Sequence, residues 1–301
     1  MPNWNELLSE VKSAAPVPEQ VRRKYLKKLH QYTSRNVIIY YSGWLQKADR
    51  PGTTFRNTNI NDNDKNGFMA TIHRMDRKKG LDLLLHTPGG DLAATESIVD
   101  YLRSMFGTNI RAFVPHLAMS AGTMIALSCE TIVMGKHSSI GPIDPQIGGV
   151  AAHGILEEFQ QAVKDITDNP DSKAVWQPII AKYHPTLIGD CQKAIKWSED
   201  IVTQWLITGM FKGDKDAKTK ASKIVKKLGD HGDTKAHNRH ISCNQAHDLD
   251  IHVTALEDDP KLQEAVLTVH HACILTLSMT SATKIIENHM GVGFIETVSS
   301  P

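Results

Sequence analysis

The sequence predicts an α/β fold, a parallel sheet covered by helices on both faces and continued by a helical C-terminal region. Two observations carry this. Between residues 36 and 135, short β-rich runs alternate with segments of helical spacing, the pattern of strands joined by helical crossovers. From residue 154 to 229, helical spacing takes over.

Residues 3–33 read as helical, with Pro16 and Pro18 separating a short first helix from a basic amphipathic second, "EQVRRKYLKKLHQY". "NVIIYYSGW" at 36–44 is a β-rich run, and the polar stretch 45–58 carries Pro51-Gly52, a loop signal. "KNGFMATIHRMD" has helical spacing, "LDLLLHTP" is a buried strand, and "DLAATESIVDYLRSM" is a helix with acidic and small residues in its first turn. "NIRAFVPH" is a strand, "SAGTMIALSC" a helix and "ETIVMG" a strand. After the turn-rich "KHSSIGPIDPQIGG" come the helical patterns "ILEEFQQAVKDI", "AVWQPIIAKY", "GDCQKAIKWSEDIVTQWLI" and the lysine-rich "KGDKDAKTKASKIVKKLGD". "SCNQAHDLD" starts at a Ser242 N-cap, and a last helix is expected over 260–289. The division this implies is an N-terminal helical segment (1–35), one domain (36–290) and a C-terminal tail (291–301).

Charge excludes some partners. The 34 basic and 33 acidic residues nearly cancel, so no global field draws nucleic acid or an anionic membrane. The lysine run 212–227 is interrupted by Asp214 and Asp216 and lacks an aromatic ladder, which makes it a solvated helix face. The most apolar long stretch, 117–135, contains Glu130 and small polar residues and reads as strand, turn, helix and strand rather than a membrane span. Charge in "MPNWNELLSEVKSAAP", where a signal peptide needs an apolar segment, and four scattered cysteines without a CxxC pair point to the cytoplasm. Five of the fifteen histidines fall between His231 and His252 without the paired spacing of zinc modules, so neither metal nor cofactor is expected.

Two short phrases carry chemistry. In "AMSAG", Ser120 opens a helix directly after an apolar strand. Amides there lack intrahelical partners, and the helix dipole favours a developing anion. In "HTPGG", Gly89 and Gly90 also follow a strand and precede a helix; glycine tolerates backbone angles that turn an N–H outward. An oxyanion hole needs two such donors, assigned to Ala121 and to Gly90 or Gly89. Gly89, Gly90 and Gly122 let a substrate backbone come close. Singly, an N-cap serine and a Gly-Gly turn are ordinary structural features. Their pairing on consecutive strand-helix units is what carries the reading of Ser120 as a nucleophile.

"LLLHTPGGDLAATESIVDYL", "VPHLAMSAGTMIALSCETIVMGKHSSIGPIDPQ" and "ISCNQAHDLDIHV" resemble the serine dehydrogenase proteinase family, which is related to signal peptide peptidase A and, more distantly, to the Clp protease subunit and the crotonases. The resemblance spans roughly residues 36–290 and is most specific over 81–146. It implies the ClpP/crotonase fold of repeated ββα units, a serine nucleophile at Ser120, an oxyanion hole at the glycine pair and Ala121, and a supporting helix carrying Ser242, Ala246 and Leu249.

The resemblance leaves the general base open. The Clp pattern places a histidine near Gly141 or Pro142, where none stands; His137 is early and His153 late. The signal peptide peptidase pattern places a lysine about fifty residues after the serine, which selects Lys173 in "DNPDSKAVWQP". A lysine base works neutral, so this role demands burial beside apolar groups such as Trp176. Lys164, Lys182 and Lys136 compete for it. Asp144 reads as an Asp-Pro turn or as part of the substrate groove, and His86 and His116 as structural strand-end histidines or substrate contacts.

The expectation is a cytosolic serine endopeptidase acting on peptide or protein substrates, a homo-oligomer as its relatives are, with no nucleic acid or membrane partner. The alternatives are a crotonase-like acyl-CoA enzyme and a catalytically silent scaffold of the same fold.

Overall fold

The computed structural model describes residues 4–13, 18–49, 55–229 and 236–298. Pro16, the Pro51-Gly52 loop, His231 and the last three residues of the expected tail lie outside them. In chain order the helices are α1 (Trp4–Ser13), α2 (Pro18–Thr33), α3 (Trp44–Lys47), α4 (Phe55–Thr58), α5 (Asn63–Ile72), α6 (Leu92–Phe106), α7 (Ala121–Leu127), α8 (Ala152–Asp168), α9 (Lys173–Ile180), α10 (Leu187–Thr208), α11 (Ala217–Gly229), α12 (Cys243–Asp248) and α13 (Pro260–Met279). The strands are β1 (Asn36–Ser42), β2 (Leu81–His86), β3 (Ile110–Val114), β4 (Leu117–Ala118), β5 (Thr131–Met134), β6 (Ser139–Ile140), β7 (Gln146–Ile147), β8 (Val150–Ala151), β9 (Ile241–Ser242), β10 (Val253–Ala255), β11 (Ala282–Asn288) and β12 (Gly293–Thr297).

A seven-stranded sheet runs in the order β10-β5-β3-β2-β1-β11-β12. Its first five strands are parallel, in a register that aligns Ile38, Leu83, Ala112, Ile132 and Val253, and β11 and β12 add on antiparallel. Strand side chains alternate between faces. On one face Ile38, Tyr40, Leu83, Leu85, Ala112 and Ile132 pack with Phe68 of α5, Ile98 and Leu102 of α6, Met124 of α7 and Val202 and Leu206 of α10. On the other, Val37, Ile39, Tyr41, Leu84 and Phe113 pack with Leu26 and Leu29 of α2 and Val269, Cys273 and Leu277 of α13. The central strands are buried on both faces, which is why they read as unbroken apolar runs. The mixed α/β architecture matches the sequence expectation.

Three features differ in detail. The helix expected over 260–289 ends at Met279, and Ala282–Asn288 is instead a fully buried strand. Thr280 turns the chain to extended geometry, and Thr283, Ile285 and Ile286 are β-branched residues that suit a doubly packed strand. The segment expected as a tail contributes β12, paired with β11. The N-terminal helices are tied to the sheet, since buried Arg22 ion-pairs with Glu287 of β11 at 2.6 Å. Among the described residues, no helix is long and apolar enough to cross a membrane.

Candidate active site

A small second sheet, β4-β6-β9, gathers the chemistry. β4 and β6 run parallel, Leu117 opposite Ser139 and Ala118 opposite Ile140, while β9 runs antiparallel, Ile140 opposite Ile241. The C-terminal ends of β4 and β6 therefore meet the N-terminal end of β9. Ser120 lies two residues after β4, Asp144 four after β6 and His237 four before β9. All three line one cleft of about 680 Å³.

Ser120 forms the turn between β4 and α7 with φ 52° and ψ −118°, a backbone region that non-glycine residues avoid and that costs on the order of 1–3 kcal/mol. The surroundings hold it there. Met119 N–H donates to the Thr87 carbonyl (3.0 Å), Gly122 N–H to the Met119 carbonyl (2.8 Å) and Thr123 Oγ1 to the Ala118 carbonyl (2.7 Å). Gly141 N–H donates in turn to Thr123 Oγ1 (2.8 Å), so the α7 turn and the Asp144 loop share one hydroxyl. The Ser120 side chain caps nothing and makes no hydrogen bond among the described residues. A sharp strained turn of this kind presents a nucleophile at a helix N-terminus.

The two glycines play different parts. Gly89 (φ 103°) packs under the serine: a β-carbon there would come 2.7 Å from Ser120 Cβ and 3.0 Å from Ala121 N. Its own N–H donates to Thr87 Oγ1 (3.1 Å). Gly90 (φ 158°) has its backbone against Ile60, where a β-carbon would meet the Ile60 carbonyl at 2.3 Å. Ile60 N–H donates to the Gly89 carbonyl and Asp91 N–H to the Ile60 carbonyl, and Gly90 N–H has no acceptor among the described residues. Ala121 N–H, in the first turn of α7, likewise has no acceptor among the described residues. Gly90 and Ala121 line the cleft with Ser120, whereas Gly122 is buried behind the turn against the Thr87 methyl.

Asp144 and His237 form a hydrogen-bonded pair in the cleft, whose polar lining also includes Asn59, Asn61, Asp91, Gln146 and Ser198. The Asp144 side chain is fully buried, and His237 Nδ1 lies 2.8 Å from its Oδ1. A carboxylate only accepts, so the contact assigns the proton to Nδ1 and leaves Nε2 as the acceptor. Ile143 N–H is held by the Leu228 carbonyl at 2.9 Å, which fixes the loop carrying Asp144. Apolar walls come from Leu92, Met124, Ile143 and Trp197 of α10, whose indole N–H reaches Glu96 of α6 at 3.1 Å. A second cleft, about 750 Å³, lined by Asn57, Asn61, Asp62, Asn63, Asn66, Glu296 and Thr297, contains none of the residues discussed so far as catalytic.

The expected lysine is elsewhere. Lys173 is exposed at the start of α9, a helix without a buried residue, and does not line the Ser120 cleft. The burial expected beside Trp176 is missing, because that indole turns to Asp165 Oδ2 at 3.1 Å. Lys136, Lys164, Lys182 and His137 are exposed as well, and His153 lines a different cleft. Within one chain, then, Ser120, Gly89, Gly90 and Ala121 come together and Lys173 does not join them.

His86 and His116 sit behind the site rather than in it. His86 packs against Trp44, His116 and His270 of α13, on the sheet face away from α7. Burial, reinforced by neighbouring His116, pushes its imidazole down to about 3. Among the described residues, no group of three or more His, Cys, Asp or Glu side chains is arranged to hold a metal ion.

Sequence reasoning missed His237 and left Asp144 between an Asp-Pro turn and a place in the substrate groove; the structure puts it in the cleft. His237 was one of five scattered histidines with no local signature, and only the pairing of β9 with β6 brings it to Asp144.

Residues 19–270 match the family described as ClpP-like SDH-type serine proteinase. An uncharacterized protein of Methanocaldococcus jannaschii is 31% identical over 190 residues, which is 63% of this chain and 57% of that protein. A second uncharacterized protein of the same organism is 36% identical over 106 residues, 35% of this chain and 37% of its own length. The matched stretches thus cover little more than half, or less, of these relatives. The family match takes in both glycines, Ser120, Asp144 and His237, and the chain belongs to the ClpP-like SDH-type serine proteinases.

Proposed function

We propose that the protein is a serine peptidase in which Ser120 is the nucleophile, His237 its general base and Asp144 the group that orients the imidazole. The observation that carries this reading is the convergence of a strained, uncapped serine and a carboxylate-bound histidine on one cleft. His237 Nε2 takes the Ser120 proton as Oγ attacks the scissile carbonyl, and the resulting imidazolium is stabilised by buried Asp144. The tetrahedral oxyanion is received by the N–H groups of Gly90 and Ala121, each such donor contributing about 3 kcal/mol to barrier lowering. His237 then protonates the leaving amine, and water, activated by the same histidine, releases the acyl-enzyme. The chain order Ser, Asp, His is that of the α/β-hydrolases, with the same roles.

The substrate in this reading is an extended peptide or unfolded protein segment lying in the cleft between Gly90 and Trp197, with an apolar side chain toward Met124 and Ile143. Four unpaired cysteines, three of them buried, suit work in the reducing cytoplasm. Self-association is part of the proposal, supported by exposed Val163, Val175 and Ile188 on the α8–α10 helices.

A fluorescent fluorophosphonate tests the reading directly. It should label the wild-type protein and fail on Ser120→Ala, and mass spectrometry of casein digests should show fragments only with the wild type. Absence of labelling on folded wild-type protein would sink the peptidase assignment.

A further inference from the structure

The oxyanion donor Gly90 is held by a loop whose own anchor is a buried ion pair. Ile60 touches the glycine strand on both sides of Gly90: its N–H donates to the Gly89 carbonyl at 2.8 Å, and its carbonyl accepts from Asp91 N–H at 2.9 Å. With the Ile60 backbone this close, a displacement of the loop displaces Gly90. The residues flanking Ile60 are fixed by side chains from distant parts of the chain. Lys284 Nζ, from β11, donates to the Asn59 carbonyl at 2.9 Å and to Asp64 Oδ1 at 2.7 Å. Asp64 Oδ2 accepts from the Asn61 backbone N–H at 3.0 Å and from the Tyr40 hydroxyl at 2.7 Å. One residue earlier, Ser42 Oγ donates to the Thr58 carbonyl. Lys284 and Asp64 have fully buried side chains, with Glu296 a further 3.6 Å neighbour of the ammonium.

We infer that the Lys284–Asp64 pair is a positioning device for the oxyanion hole, and this rests on the peptidase reading. A buried ion pair is poorly suited to adding stability, since desolvation offsets much of the attraction and apolar replacement is often neutral. What this pair does is bind the carbonyl before Ile60 and the N–H after it at the same time. A fully satisfied polar network rigidifies what it joins. Preorganised amides stabilise an oxyanion only when fixed in direction before charge develops, and a misplacement of about 1 Å costs roughly a hundredfold in rate. Neither Lys284 nor Asp64 lines the Ser120 cleft, so both act through Ile60 and Gly90.

The test is the rate of fluorophosphonate inactivation, separated into initial affinity (KI) and the covalent step (kinact). Asp64→Asn, Lys284→Met and the apolar double variant Asp64→Leu/Lys284→Met, chosen to keep the space filled, should reduce kinact by roughly a hundredfold with KI little changed. Lys284→Arg, which keeps the positive charge and the hydrogen-bond donors, should recover most of the wild-type kinact. Circular dichroism at the assay temperature identifies the folded variants. A wild-type kinact in the folded double variant overturns the inference while leaving the peptidase reading intact, as does a loss that appears only as less labelled protein, in proportion to the folded fraction, with KI and kinact unchanged. Failure of the wild type itself to react removes both.

Discussion

Gly89 lies so close beneath Ser120 that a β-carbon on the glycine would stand 2.7 Å from the β-carbon of the serine. Its φ of 103° is also one that alanine resists, so Gly89→Ala has to move either the serine turn or the glycine strand. The expected result is a loss of fluorophosphonate reactivity by at least about a hundredfold, the scale of losing one oxyanion donor. The melting temperature should fall as well. An active, stable Gly89→Ala enzyme would mean that the strand and the turn are not in register during catalysis.

The base assignment separates two residues on opposite sides of the sequence expectation. His237→Ala and Asp144→Asn should each lower kcat on the order of 10⁴-fold or more, as loss of such groups does elsewhere, with the fold retained. Exposed Lys173→Ala should leave kcat/KM within about a factor of two, the usual range for surface substitutions. Steady-state kinetics on one fluorogenic peptide settles the matter. A dead Lys173→Ala beside an active His237→Ala would reverse the assignment.

The strained angles of Ser120 should be visible as stability. Ser120→Gly removes a side chain from a conformation that glycine adopts freely, against the larger backbone entropy that glycine gives the unfolded chain. The net expectation is a gain of about 1 kcal/mol, read from urea midpoints. Ser120→Ala, equally inactive, keeps the strain and should show no such gain. Equal stability of the two variants would argue that the turn relaxes in solution.

Buried histidines set the acid limit. Burial first, and neighbouring imidazoles second, depress His86 to about 3 and His289 to about 4, and lower His270 well below its usual range. Above about pH 7 the folded and unfolded chains both carry these rings neutral, and the shift contributes nothing. Below the ordinary histidine pKa of about 6.5, the unfolded chain binds protons that the folded one refuses, so stability falls with pH. For His86 the decline continues to about pH 3, at up to about 1.4 kcal/mol per unit. Neither His86 ring nitrogen has a hydrogen-bond partner among the described residues. His86→Phe should therefore be at least as stable as wild type at pH 7.5 and lose stability less steeply toward pH 4.5. A steeper slope in the variant would contradict this account.

How much was legible follows from the range of the interactions. Strands β1, β2, β3 and β5 were readable because each is buried on both faces and spells an apolar run bounded by turn residues. The turns that carry Ser120 and the glycine pair were readable because their geometry is local, a strand leading into a helix. The end of α13 was not: the stretch 278–284 carries neither glycine nor proline to stop a helix, and only pairing with β1 and β12 makes Ala282–Asn288 a strand. Lys173 fitted a spacing, but α8 and the short 3₁₀ turn Pro170–Ser172 carry it onto an outer helix. His237 depends on β9 meeting β6, a contact between segments about a hundred residues apart, and Lys284 meets Asp64 across 220 residues.

The small β4-β6-β9 sheet has two residues per strand, and its pairings carry the ends that present Ser120, Asp144 and His237. The seven-stranded sheet would survive its loss, since none of its own ladders passes through it. Heat or denaturant should accordingly silence the enzyme at a milder dose than the one that melts it, and a molecule inactivated in this way would regain its competence simply by zipping a handful of backbone contacts, without refolding.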